Sequence, residues 1–359
     1  MPLIYAEGFE LGTSLSEANT MSGNVYSSSG NFTTQTLTFG ATSGGTGAGA
    51  GARSLQYQLT PNANSTGIFT YLSMPLPGLG AVQATMNSLV WGFRAKANQS
   101  WTSPTSGYGA SIGIANNAYT VASSTGFYVV RSSGTSGAYI SGTGSTNIGP
   151  TTGIAVLDAA WHYHTYQFIR TSTTWTINRW LDNTLIGNYT GVSLTWPTTP
   201  YFFYHNGVGG TGPTNIFQEI DDMYIGYNMN PLGPVDIRHI GASSDIQAQF
   251  TKVGSAGSNF ASVDNINLTS GNSLTATSAV EDVYGTSYAQ PSGKTIIAVR
   301  AGVVANGATS DNIQAKVASG SNSVASAVTP LNATDAVIST GWVPMAVNPA
   351  DLKYGQAKT

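Results

Sequence analysis

Trp161-His-Tyr-His-Thr-Tyr-Gln-Phe-Ile-Arg170, Thr174-Trp-Thr-Ile-Asn-Arg-Trp-Leu-Asp-Asn-Thr-Leu-Ile-Gly187 and Phe217-Gln-Glu-Ile-Asp-Asp-Met-Tyr-Ile-Gly-Tyr227 are the three runs from which the fold of this chain is read. Each alternates apolar and polar residues with a period of two, the pattern of a strand with one face buried. The middle run has an Asp182-Asn183 pair between its two halves, and a two-residue Asp/Asn turn between alternating strands predicts a hairpin. A Gly-rich break at residues 207–212 separates the second run from the third.

Working outward, the composition agrees. Of 359 residues only 8% are charged, about a third of the usual share, and 43 are glycine. The exposed faces of helices need Glu, Lys and Arg, whereas this chain offers hydroxyls and amides, so an all-β fold with glycine-rich turns is expected. A disordered Ser/Gly chain is excluded by 41% hydrophobic and 10% aromatic content. The length suits two or three domains. A net charge of −3, spread over both halves, gives no footprint for nucleic acid. With no cysteine there is no disulfide, thiol nucleophile or Cys-ligated zinc. The start, Met1-Pro-Leu-Ile-Tyr-Ala-Glu, lacks the regions of a signal peptide, and no run reaches the length of a membrane helix. Assembly in a reducing cytoplasm without membrane insertion is therefore expected.

Strand-like runs recur every 8–15 residues without a convincing amphipathic helix, which predicts a β-sandwich or jelly roll over residues 1–230. Its first strand, around Leu3–Phe9, is expected to pair with Ile220–Tyr227. Asn228-Met-Asn-Pro-Leu-Gly-Pro234 reads as a stiff linker. A smaller β-sandwich is expected over 231–359, with strands at Val235–Ile240, Phe260–Val263, Glu281–Tyr284, Lys294–Arg300 (continuing to Val304), Asp311–Ala318 and Val337–Trp342. A short turn or single helical turn at Asn348–Gly355, then a polar tail, complete it.

Residues able to carry chemistry are few. His162 and His164 share a strand face and, with His205, could hold a metal, although strand residues bonded to their neighbours are the simpler reading. Glu219, Asp221 and Asp222 form the densest acid cluster. Sandwich glycosidases of the laminarinase type carry Glu-x-Asp-x-Glu on one strand face, but here the third position is Met223, so no enzyme is expected. Asp221 and Asp222 are candidates for calcium through their carboxylate oxygens, the alternative being a structural role at the strand start. No other cofactor is implied. Trp101, Tyr108, Tyr119 and Trp196 are candidates for stacking on sugar rings, with core packing as the competing reading.

Trp161-His162 with Phe168, the hairpin Trp180-Leu-Asp-Asn-Thr-Leu-Ile-Gly187, the strand Asp221-Asp-Met-Tyr-Ile-Gly226 and the opening Ala6-Glu-Gly-Phe-Glu10 resemble the concanavalin A-like (laminin G/pentraxin type) jelly roll that phage structural proteins carry. The second part is similar to a segment that follows such domains in tailed-phage virion proteins: Gly233-Pro-Val-Asp236, Asp282-Val-Tyr284, Ile296-Ile-Ala-Val-Arg-Ala301, Gly341-Trp342 and Asn348–Gly355 carry this likeness. The family's early Trp is absent, Phe250 being the nearest aromatic. The resemblance implies a non-enzymatic virion structural protein, with other virion proteins and a homo-oligomer (a trimer being one form) as partners. Two roles fit: a tail fibre or tail-tip protein touching host-surface glycan, or a capsid decoration or head-fibre protein without a ligand.

Overall fold

The computed structural model describes residues 3–8, 25–26, 34–40, 54–60, 67–97, 108–116, 126–131, 138–141, 145–147, 160–194, 196–197, 200–208, 216–263, 271–290, 292–344 and 347–359. They form two compact units, the first closing at Ile237 and the second running from Arg238 to Thr359.

Among the described residues the first unit has fifteen strands. They are β1 (Leu3–Glu7), β2 (Val25–Tyr26), β3 (Thr34–Gly40), β4 (Ser54–Thr60), β5 (Gly67–Pro75), β6 (Ser88–Ala97), β7 (Tyr108–Asn116) and β8 (Gly126–Arg131). After these come β9 (Ala138–Ser141), β10 (Ser145–Asn147), β11 (His162–Thr171), β12 (Thr174–Leu181), β13 (Thr184–Val192), β14 (Pro200–Val208) and β15 (Ile216–Tyr227). One antiparallel sheet has the order β13-β12-β11-β6-β15-β4-β3, with β1 also on β15, and the other has β10-β9-β8-β7-β14-β5-β2. The chain passes repeatedly from sheet to sheet, so strands far apart in sequence become neighbours. This is the jelly-roll form of an all-β sandwich, as expected. The expected closure is also present, with Leu3 opposite Gly226 and Glu7 opposite Met223. A short helix, α1 (Pro77–Val82), stands before β6; its sequence, Pro-Gly-Leu-Gly-Ala-Val, has no helical periodicity that would predict it.

The hairpin forms where Asp182-Asn183 predicts it. Both residues take left-handed backbone (φ 47° and 72°), as the turn with the strand-matching twist requires. Asp182 also ties the hairpin down. Its Oδ1 accepts the Tyr163 N–H (2.8 Å), and its Oδ2 lies 2.6 Å from His162 Nδ1.

Alternation gives the first sheet an apolar and a polar face. Across the apolar face Trp91 stacks on Phe168 with ring centroids 4.5 Å apart, beside buried Ile177 and Ile225. On the other face Gln167, Asn178 and Asn188 form a ladder of amides over three strands, with Asn178 donating to Gln167 and Asn188 to Asn178.

In the second unit a six-stranded antiparallel sheet runs Ser244–Gln247, Val280–Gly285, Leu352–Lys358, Asn312–Ser319, Asn322–Ala325, with Thr329–Pro330 also on Asn312–Ser319. Ile313 and Ala315 pack with Leu331 and Ile338, and with Val303 and Ala305 of the two-stranded sheet formed by Gly302–Ala305 and Ala336–Ser339. Four sequence expectations change here. Val235–Ile240 is not a strand, and the Ile237 N–H is given instead to the Asp222 carboxylate. Phe260–Val263 lies in a short helix, α2 (Asn259–Val263), whose first N–H groups are accepted by Asp245. Lys294–Arg300 contributes only an isolated bridge between Val299 and Val343; Ile296 and Val299 pack in the core as irregular chain while Ile297 is exposed. The expected turn is kept only as the helical turn Pro349–Asp351: from Leu352 through the polar tail to Lys358 the chain is an interior strand paired on both sides, with Gln356 and Ala357 buried. Its short polar residues give no alternation to read.

Candidate functional site

The acid cluster sits where β15 crosses between β4 and β6. Antiparallel register sets Glu219 opposite Lys96 and Asp221 opposite Arg94. Lys96 Nζ lies 2.8 Å from Glu219 Oε1, and Ser54 Oγ donates to Glu219 Oε2 (2.7 Å). The same ammonium stands 4.9 Å from the centre of the Trp161 ring, a cation–π contact. Arg94 Nε lies 3.3 Å from Asp222 Oδ2, and the guanidinium rests 5.9 Å from the centre of the Tyr163 ring. All three carboxylates are about 1% exposed. A buried carboxylate is tolerated where charge and hydrogen bonds compensate its lost hydration, and here both are supplied.

Immediately after Asp221 the strand bulges. The register steps from Asp221 opposite Arg94 to Tyr224 opposite Gly92, so β15 spends one extra residue there. Asp222 is that residue, with φ 48°, and its N–H is accepted by Asp221 Oδ1 (2.8 Å). Unbroken alternation would set Met223 next to Asp221 on this face. The bulge instead brings Tyr224 there, its ring packed where a Gly92 side chain would start. Neither residue is a carboxylate.

The segment after β15 folds back onto this cluster. Asn228, in left-handed conformation, accepts the N–H groups of Asn87 and Ser88 at its Oδ1 and donates from Nδ2 to the Thr85 carbonyl. The Leu232 N–H donates to the Tyr224 hydroxyl (3.0 Å) and the Ile237 N–H to Asp222 Oδ1 (2.8 Å). Gly8 of β1's end lies so close to the Ile237 carbonyl that a β-carbon would overlap it. The stiff linker expected at Asn228–Pro234 is part of a strap, running on to Ile237, that is bound to the first unit because the bulged Asp222 and Tyr224 offer acceptors to its backbone. Tyr163 donates to the Asp222 carbonyl (3.0 Å). Burial, then the neighbouring Tyr224 and Asp222, push the Tyr163 hydroxyl well above its usual range; burial pushes Tyr224 up to about 12.

Asp221 and Asp222 therefore meet the protein's own donors. Among the described residues no group of three or more His, Asp or Glu side chains is arranged to hold a metal ion. His162 faces Asp182, and the His164 ring stacks on Phe93 at 5.0 Å. Of the aromatic candidates, Trp196 is half-buried in the segment before β14. Tyr108 begins β7 and only its backbone is described; Trp101 and Tyr119 lie outside the described residues.

A second buried acid is not among the sequence candidates. Asp282, fully buried, accepts the N–H groups of Gln249 and Phe250 at Oδ1, and the Asn259 amide and Tyr284 hydroxyl at Oδ2. The spacing Asp282-Val-Tyr284 puts both side chains on one strand face, which is the one signal the sequence holds.

These features define an all-β protein whose first domain is a jelly-roll sandwich. No family model matches the chain, and no curated protein matches it. Solved structures do. Lectin II from Ulex europaeus is 11% identical, with 63% of this chain and 99% of that one covered and a TM-score of 0.39. The carbohydrate esterase vb_24B_21 from the Shiga toxin-encoding bacteriophage phi24B is 12% identical over 63% of this chain and 100% of its own, at 0.37. A botulinum neurotoxin type C structure is 16% identical over 63% of this chain and 47% of its own, at 0.40. Likeness at this level carries no functional conclusion.

Proposed function

We propose that this chain is a non-enzymatic structural component of a tailed-phage virion, assembled in the host cytoplasm, whose jelly-roll domain is exposed on the tail and contacts host-surface glycan. The observation that carries the non-enzymatic part is the commitment of Glu219, Asp221 and Asp222. Lys96 and Ser54 occupy Glu219, and Arg94 and the Ile237 N–H occupy Asp222. Glycoside hydrolysis needs two carboxylates facing a substrate, one of them free to give up a proton. Here the carboxylates face the chain itself. The virion part is supported by the sequence resemblance, whose motif residues Asp182, Asp222, Tyr224 and Asp282 all hold structural positions. A surface rich in Ser, Thr and Asn also loses little rotamer entropy when ordered in an assembly.

Three measurements test the proposal. Imaging of purified particles with an antibody to this chain is expected to label the tail; label confined to the capsid favours the decoration role, and none overturns the virion reading. A host-glycan array is expected to show binding by the whole chain. Sugar release from host polysaccharide that Glu219→Gln abolishes would reinstate an enzyme.

A further inference from the structure

One cross-strand row on the apolar face of the first sheet breaks its own chemistry. The row reads Gly187, Arg179, Tyr166, Trp91, Ile225 across β13, β12, β11, β6 and β15. Tyr166, Trp91 and Ile225 are buried, as that face requires. Arg179 is only 1% exposed, yet it is a guanidinium. Its Cζ stands 5.8 Å from the centre of the Tyr166 ring, and among the described residues its Nε and Nη1 have no hydrogen-bond partner. Among the described residues no carboxylate pairs with it. Arg94, also buried, has Asp222. A buried cation with no counter-charge is among the most heavily penalised features a core can contain.

The surroundings of Arg179 give it a way out. Its partner on edge strand β13 is Gly187, which has no side chain to wall off the guanidinium. The Tyr189 ring lies over Gly187 instead, its hydroxyl 2.8 Å from where a β-carbon would stand. Tyr189 is half-exposed and sits on the strand with no further neighbour in the sheet order. Burial raises the Tyr189 hydroxyl pKa while the charge of Arg179 lowers it, which places hydroxyl and guanidinium in one electrostatic neighbourhood. A glycine, a tyrosine cover and buried guanidinium N–H groups with no acceptor among the described residues suit a carboxylate, whose oxygens accept charge-assisted N–H···O bonds.

We propose that Arg179, with Tyr189 as its movable cover, is a binding site for a ligand carboxylate that enters over edge strand β13. The carboxylate has two small-molecule sources, a simple organic acid and an acidic sugar whose ring lies against Tyr166 and Tyr189. The sugar version rests on the proposed glycan contact; the anion site does not.

The test is an NMR titration of the full chain, following the arginine Nε–H resonances at constant ionic strength with acetate, galacturonate and galactose. The Arg179 signal is assigned by its loss in Arg179→Lys. Acetate and galacturonate are expected to shift it saturably and galactose to leave it unmoved, with Tyr189→Phe weakening carboxylate binding about fivefold. Galacturonate at least about tenfold tighter than acetate adds the sugar; equal affinities keep the anion site and remove the sugar. No saturable shift with either carboxylate overturns the proposal. So does a lower melting temperature of Arg179→Met in carboxylate-free buffer, because an apolar side chain should relieve a core that carries an unpaired charge.

Discussion

Asp222 joins three parts of the first domain at a single residue. Its Oδ2 meets Arg94 of β6, its Oδ1 takes the Ile237 N–H, and its carbonyl takes the Tyr163 hydroxyl. Removing the carboxylate leaves a buried guanidinium without its counter-ion. Asp222→Ala is expected to cost about 3–5 kcal/mol in urea unfolding of the first domain; a loss under about 1 kcal/mol would show that Arg94 finds another partner. Asp282 plays a comparable part in the second unit with neutral donors alone. Asp282→Asn turns an acceptor into an amide that presents N–H groups toward N–H groups, and is expected to destabilise that unit by about 2–3 kcal/mol. Nearest-charge reasoning from sequence finds neither, since Arg94 lies far from Asp222 in the chain and Asp282 has no cation beside it among the described residues.

Between Asn228 and Ile237 the chain has no regular secondary structure, yet it behaves as an element. Its N–H groups are accepted by the Tyr224 hydroxyl and the Asp222 carboxylate, and its exit is pinned beside Gly8. Prolines in its middle make it stiff, which lowers the entropy lost when it docks. A chain ending at residue 230 should therefore melt several degrees below one ending at residue 237, by differential scanning calorimetry. Gly8→Ala in the longer chain is expected to reproduce part of that loss by pushing the Ile237 carbonyl away. Equal melting temperatures for the two chain lengths would mean that the strap is decoration.

At the scale of the whole molecule, both units bury tyrosine hydroxyls beside acids. Burial raises Tyr163 and Tyr224 in the first unit, and in the second raises Tyr284, helped by its bond to Asp282. An unfolded tyrosine titrates near 10.0. Above that pH the unfolded chain gives up protons that the folded chain keeps, so fewer protons are bound in the unfolded state and stability declines as pH rises. The contribution is whole below pH 10.0 and is lost as pH climbs through about 12, where Tyr224 ionises in the fold. Urea midpoints measured on either side of pH 10 should fall on the alkaline side, and tyrosinate absorbance should show a late-titrating fraction released by unfolding. A protein in which every tyrosine titrates freely near pH 10 would contradict this packing.

Much of the fold was legible in local patterns. Alternation in Thr174–Leu181 marked which side chains go inside, Asp182-Asn183 marked the turn, and scarce charge with abundant glycine argued for an all-β fold. Those signals are local because strand period and turn conformation depend on neighbouring residues alone. Val235–Ile240 and Lys294–Arg300 show the limit: both are apolar enough for strands, and both gave up their pairing to tertiary contacts. Leu352–Lys358 shows the converse, an expected turn and polar tail made into an interior strand by two partners. The acid cluster was legible as residues and illegible as a site. Which carboxylate meets Arg94 or Lys96 depends on register between strands more than a hundred residues apart. One extra residue at Asp222 turns Tyr224 rather than Met223 onto that face. The sequence by itself determined an all-β chain and its hairpins, since period and turn chemistry are written in adjacent residues. Only the tertiary structure decided that Asp222 and Tyr224 are a socket for the strap and that Arg179 is buried with no counter-charge among the described residues, because pairing and burial arise when distant strands meet.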